Sequence, residues 1–164
     1  MGVDACVVDS GDRTDRVYAF CFPRLGRRIF AGKGIAGTRP ICEPSRGKVR
    51  GGRLMLIGVD KIKSAIYDRL ARGRALRFSD TLQAAYYEQL ASERKVVRYV
   101  RGQPLRRFER KPGARAEALD CVVYAFAARH VVACDLDRRA NELTQVLPPA
   151  STPTEVRSPW VSAW

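Results

Sequence analysis

The 164-residue chain reads as an α/β protein, a mixed sheet with flanking helices. Three observations predict that class. Short apolar runs closed by turn residues recur at 5–8, 28–31 and 54–57. Helical spacing follows the first and the third of them, as βαβ units require. A long apolar helical pattern at 114–130 supplies a cover for the sheet. The length suits one domain with a real core, plus a tail.

Each element has its own reason. The run ACVV at 5–8 enters the turn Asp9-Ser10-Gly11 and predicts a buried strand. Val17, Phe20 and Cys21 then share one face of a short helix over 12–21. A second strand at 28–31 is expected to close at Gly32-Lys33-Gly34 and to pair in parallel with the first. Gly, Pro, Arg and Lys predict a loop over 36–53, before a third strand at 54–57. Asp60 opens a helix to about Ala71, with Ile62, Ala65, Ile66 and Leu70 as its apolar stripe. A further helix is expected over 82–95. Stretches 96–101 and 105–110 flank Gly102-Gln103-Pro104 as a hairpin. In the 114–130 helix, Leu119, Val122, Val123 and Phe126 line one side, and Cys121, Ala125 and Ala128 keep the rest small enough to bury. A last helix is expected over 136–147. Residues 1–147 thus form the domain, and the Pro-rich stretch 148–164 reads as a flexible tail.

Charge points to the partner. Thirty Lys and Arg against seventeen Asp and Glu leave a net charge of +13, and 24 of the thirty are Arg. Neutralising a polyanion's phosphates uses such an excess, although a basic soluble surface would also carry it. No apolar run approaches the roughly 20 residues of a membrane span, and the acidic N-terminus lacks the form of a signal peptide. The five Cys have no paired spacing. Four of them sit among apolar residues and read as buried reduced thiols. With one His, neither a Cys/His zinc site nor a His-based triad has material, so any chemistry falls to carboxylates, Lys and a metal held without His.

The candidate groups each carry two readings. Asp9 ends an apolar strand, where functional groups gather, but is equally suited to an Asx-turn. Glu117 and Asp120 share a helix face at i, i+3. They read as a divalent-metal pair or as an exposed edge partnered by Arg115. Lys63 sits in the first turn of its helix, where it suits a bound phosphate or points into solvent. Residues 94–115 hold nine basic residues and one acid, Glu109, a ridge for phosphates or a solvated face; the interleaved Tyr99 and Phe108 are expected to pack. GRRIFAGKG at 26–34 misses the phosphate-loop spacing, and no ATP site is expected.

Taken in order, VDSGDRTDRVYAFC (8–21), RRIFAGKG (27–34), LMLIGVDKIKSAIYDRL (54–70), YYEQLASERKVVRYVRGQPLRRFERKPG (86–113) and AEALDCVVYAFAA (116–128) resemble the C-terminal nuclease region of the large terminase subunit of lambda-type tailed phages, the GpA family. The resemblance spans roughly residues 5–130. It implies an RNase H-like fold, here partial, and a metal-dependent endonuclease that cuts double-stranded phage DNA during packaging in the bacterial cytoplasm. Two Mg²⁺ or Mn²⁺ ions on acidic side chains would activate water and stabilise the leaving oxygen. The resemblance places Asp9, Glu117 and Asp120 as metal-binding carboxylates and Lys63 as a phosphate or transition-state contact. Arg98, Arg101, Arg106, Arg107 and Lys111 are the expected DNA contacts. The remaining terminase portion, the small terminase subunit and the portal are the implied protein partners. Ala116 and Phe108 depart from the family's usual Asn and Trp. Only eight residues precede Asp9, too few for the meander that usually carries the first catalytic Asp. A segment inactive by itself is therefore expected, or a non-catalytic DNA-binding or docking remnant. In a different assignment, Asp9 is itself the first carboxylate and Asp60 the second. An unrelated basic nucleic-acid-binding protein is the remaining class.

Overall fold

A computed structural model describes residues 3–73, 76–132 and 135–144. The expected tail at 148–164, residues 145–147 of the last expected helix, and Cys134 lie outside the described residues. The chain divides into two compact units, the first running to Val132.

In the first unit, β1 (Cys6–Asp9) leads through α1 (Thr14–Cys21) and a 3-10 turn (Phe22–Arg27) to β2 (Ile29–Ile35). There follow β3 (Cys42–Pro44), β4 (Met55–Gly58), α2 (Val59–Ala71) and α3 (Ala84–Leu90). The hairpin β5 (Glu93–Val100) and β6 (Gln103–Arg110) precedes α4 (Glu117–Val131). The sheet order is β1-β2-β4-β3. Strand β2 pairs in parallel with β1 on one side and β4 on the other, and β3 pairs antiparallel with β4. The α/β class, the mixed sheet and the parallel first pair are as the sequence predicts.

Three elements differ from expectation. Gly32-Lys33-Gly34 do not close β2 but continue it, because Gly32 and Lys33 are in register with Met55 and Leu56 of β4. The loop over 36–53 contains β3, whose pairing with Leu56 and Ile57 could come only from the far side of the sheet. The helix over 82–95 stops at Leu90, and Glu93, Arg94 and Lys95 are strand, opposite Arg110, Glu109 and Phe108. Register with β6 outweighs the local helical pattern there.

The core lies between the sheet and the helices. Ile57, Ile62, Ile66, Leu119 and Val123 are fully buried and form one cluster. Each contributes about 1.5–3 kcal/mol by leaving water. A second cluster joins Tyr18 and Cys21 of α1 to Ala31 and Leu54. The thiols differ from expectation: Cys21 is buried, Cys6 and Cys42 are half-buried, and Cys121 is exposed. Helix α4 turns Cys121 and Ala125 away from the core, so it is less enclosed than its small residues suggest. Burial pushes the Cys21 and Cys42 thiols up.

In the second unit, α5 (Leu136–Thr144) is capped by Asp135, whose Oδ1 accepts the N–H groups of Asp137 at 3.1 Å and Arg138 at 3.0 Å. Among the described residues no helix is long and apolar enough to cross a membrane.

Candidate active site

Asp9 is the last residue of β1, and the turn after it is tightly tied down. The Ser10 N–H and hydroxyl both donate to the Gly32 carbonyl at 2.8 Å, fixing the turn to β2. Gly11 N–H donates to Asp9 Oδ1 at 3.0 Å, so the Asx-turn does form. The same oxygen accepts a 2.7 Å hydrogen bond from the Tyr124 hydroxyl of α4. That hydroxyl in turn accepts the Gly34 N–H at 3.1 Å. Tyr124 therefore links Asp9, β2 and α4. Burial pushes its phenol upward, and the Asp9 carboxylate adds to the shift. A ring can cross β2 there because Gly32 has no side chain: a Cβ on it would lie 3.1 Å from Tyr124 Cε1.

Asp120 stands one turn before Tyr124 on α4. Its Oδ2 lies 3.5 Å from Arg110 and its Oδ1 4.0 Å from Lys63. Burial raises its pKa, Lys63 and Arg110 oppose the rise, and Glu93 and Asp9 add to it. Asp9, Glu117, Asp120 and Tyr124 all line one cleft of about 590 Å³, beside Cys121 and Ala125. Glu117, however, is held by Arg115 at 3.2 Å, the exposed-edge arrangement. Its carboxyl lies below the usual range, first through its own backbone N–H and then through Arg115.

Lys63 is neither solvated nor open to a ligand on all sides. Its ammonium sits 2.7 Å from Glu93 Oε2, and both side chains are more than nine-tenths buried. The Tyr67 hydroxyl donates to the Leu90 and Glu93 carbonyls at 3.1 and 3.2 Å, pinning the start of β5 to α2. Asp60 belongs elsewhere: its Oδ2 accepts the Gly37 N–H at 2.6 Å, and it lines a different cleft.

The basic residues of the hairpin divide between its faces. The two-residue turn places Arg101 and Gly102 at positive φ, as a primed hairpin turn requires. Register sets Arg106 opposite Val97, and Arg98 and Arg107 on the reverse face with Glu109. Arg98 pairs with Glu109, while Lys111 follows the strand end. Phe108 packs, stacked on Tyr67 at 5.5 Å, but Tyr99 does not; it is 75% exposed.

A family model, the terminase large subunit gpA endonuclease domain, matches residues 1–141. The chain belongs to that family. No curated protein and no solved structure matches it.

Within this gpA endonuclease domain, the fit of a divalent ion is incomplete. Asp9 and Asp120 face one cleft, but no group of three His, Cys, Asp or Glu side chains converges on a metal position among the described residues. Arg115 and Arg110 occupy two of the carboxylates that would be called upon. Sequence reading missed Glu93 and Tyr124, and placed Arg110 only in the basic ridge over 94–115, not beside Asp120. Tyr124 had a signal, since it lies at i+4 from Asp120 and so shares its helix face. Glu93 had none, because it falls where a helix was expected.

Proposed function

We propose that this chain is the DNA-cleaving segment of a gpA-type large terminase subunit, acting on double-stranded DNA. Asp9, Glu117 and Asp120 are its candidate carboxylates toward Mg²⁺ or Mn²⁺, and Lys63 a candidate phosphate contact. The observation that carries the reading is the meeting of Asp9 and Asp120, 111 positions apart, in one cleft of a chain matched to that family over residues 1–141. The other expected packaging components are its proposed partners.

With two facing carboxylates and a third turned to Arg115, the purified chain should nick supercoiled plasmid weakly even with Mn²⁺, since each ion needs several oxygen ligands. A polypeptide carrying further parts of the large subunit should raise the rate, and Asp120→Ala should abolish the gain. Cleavage that persists in both Asp9→Asn and Asp120→Asn would sink the assignment, as would a chain that binds no duplex DNA.

The second reading, a non-catalytic DNA-binding or docking module, is favoured by one arrangement. Arg110, Lys63 and Arg115 already serve Asp120 and Glu117 as counter-ions. Duplex binding with no cleavage in any mixture would select it.

A further inference from the structure

A second cleft, of about 640 Å³, shares no residue with the Asp9–Asp120 cleft. It is lined by Thr38 and Arg39 of the loop after β2, by Asp60 and Lys61 at the start of α2, and by Lys95 and Arg106 of the hairpin. Four cations from three separate segments thus face one space. Arg39 has a carboxylate partner, Glu43 at 2.9 Å. Lys61, Lys95 and Arg106 have no ion pair among the described residues, and all three are exposed. The single carboxylate in the lining, Asp60, is turned to the Gly37 N–H. Lys95 and Arg106 are diagonal neighbours on one hairpin face, because Val97 is opposite Arg106 and Lys95 opposite Phe108. Like charges so placed repel until an anion lies between them.

Topology relates this cleft to the candidate active site. Strands β1, β2 and β4 are parallel, so their carboxyl ends lie at one edge of the sheet. Asp9 ends β1, the Thr38–Arg39 loop follows β2, and Asp60 and Lys61 follow β4. In α/β sheets ligands are held along that edge. A volume of this size admits a run of backbone rather than one small anion.

We propose that the Arg39–Lys61–Lys95–Arg106 cleft is a phosphodiester-binding subsite, which holds duplex DNA by its backbone away from the carboxylate cleft. The inference rests on the DNA-cleaving reading and adds a site to it. Arg106 thereby separates from Arg98 and Arg107, which lie on the other face of the hairpin.

The test is binding of a short fluorescent duplex in EDTA, by anisotropy across a salt series, with the full chain. The Lys61→Gln/Lys95→Gln variant should lower the slope of log affinity against log salt by about one to two, near 0.9 per lost phosphate contact. Its melting temperature should not fall, since both side chains are exposed and make no ion pair among the described residues. A wild-type slope in this variant, alongside a reduced slope in Arg98→Gln/Arg107→Gln, would overturn the subsite while leaving the DNA-cleaving reading intact. Failure of the wild-type chain to bind duplex would overturn both. Inorganic phosphate supplies the last arm. Millimolar phosphate that raises the melting temperature of the wild type but not of Lys61→Gln/Lys95→Gln, with duplex binding equal in the two, would replace backbone with a small anion.

Discussion

Lys63 and Glu93 show how far one side chain's role depends on its partner. Read alone, Lys63 is a cation in the first turn of a helix, an unfavourable place unless an anion is near. The anion is Glu93, 30 positions later, at 2.7 Å and as deeply buried. Removing one member of such a pair leaves an uncompensated charge in the interior. Glu93→Ala should therefore lose about 3–5 kcal/mol by urea denaturation. Lys63→Met/Glu93→Leu should recover most of that loss, because an apolar pair of similar volume replaces a buried ion pair at little cost. If the double variant is as unstable as the single one, Lys63 owes its place to Asp120 rather than to Glu93. The nearby Ser92 hydroxyl is buried without a hydrogen-bond partner among the described residues; its backbone is held by Gln89 and Lys111, and Glu93 by the ion pair and Tyr67.

Among the elements, the helix stripe and the strands were legible, and the boundaries set by pairing were not. Ile62 and Ile66 of α2 are fully buried, as their spacing predicts. The end of β4 is decided by close approach. A Cβ on Gly58 would strike the Pro40 carbonyl oxygen, which is backbone and cannot turn aside as a side chain can. At Gly32 a Cβ would meet Val7 Cγ1 at 2.5 Å, Ile57 Cδ1 at 2.8 Å and Tyr124 Cε1 at 3.1 Å; Val7 is β-branched and stiff, and Ile57 is fully buried. Overpacking typically costs about 1–3 kcal/mol. Gly58→Ala and Gly32→Ala should both fall at the upper end of that range by thermal melting, because neither a backbone carbonyl nor a packed core side chain gives way cheaply. A cost near zero at Gly58 would mean that the 36–41 loop yields, and one near zero at Gly32 that the sheet interior does. The α3–β5 boundary shows the same dependence: residues 93–95 carry a helical pattern, but β6 lies opposite them.

At the scale of the whole molecule, charge and pH response follow from composition, but their direction comes from packing. The chain has one His, so a single side chain ordinarily titrates near neutrality. His130, though exposed, is held below its ordinary value of 6.5 by partial desolvation, and Arg129 and Arg69 lower it further. Just below pH 6.5 the unfolded chain therefore binds more protons than the folded one. Stability should be full above that pH and decline as pH falls through the window below it. Melting temperatures from pH 7.5 to 5.5 should show the decline, and His130→Gln should flatten it. A wild-type curve that rises toward pH 5.5 would reverse the sign and show His130 stabilised as the cation.

By itself, the sequence determined the α/β class, the parallel pairing of β1 with β2, the cover helix α4, and the family through motifs distributed from Asp9 to Asp120. All of these rest on short-range spacing, which the chain carries within a few turns of each residue. Tertiary structure alone decided which cation serves which carboxylate. It paired Lys63 with Glu93, set Tyr124 on Asp9, and divided Arg106 from Arg98 across the hairpin. The Arg115–Glu117 pair is local and was one of two open readings. Most of the others join residues tens of positions apart, and a pattern along the chain holds no record of which distant charge will arrive at 3 Å. That choice is made by register and burial, since an ion removed from water must find its partner where the fold has placed one.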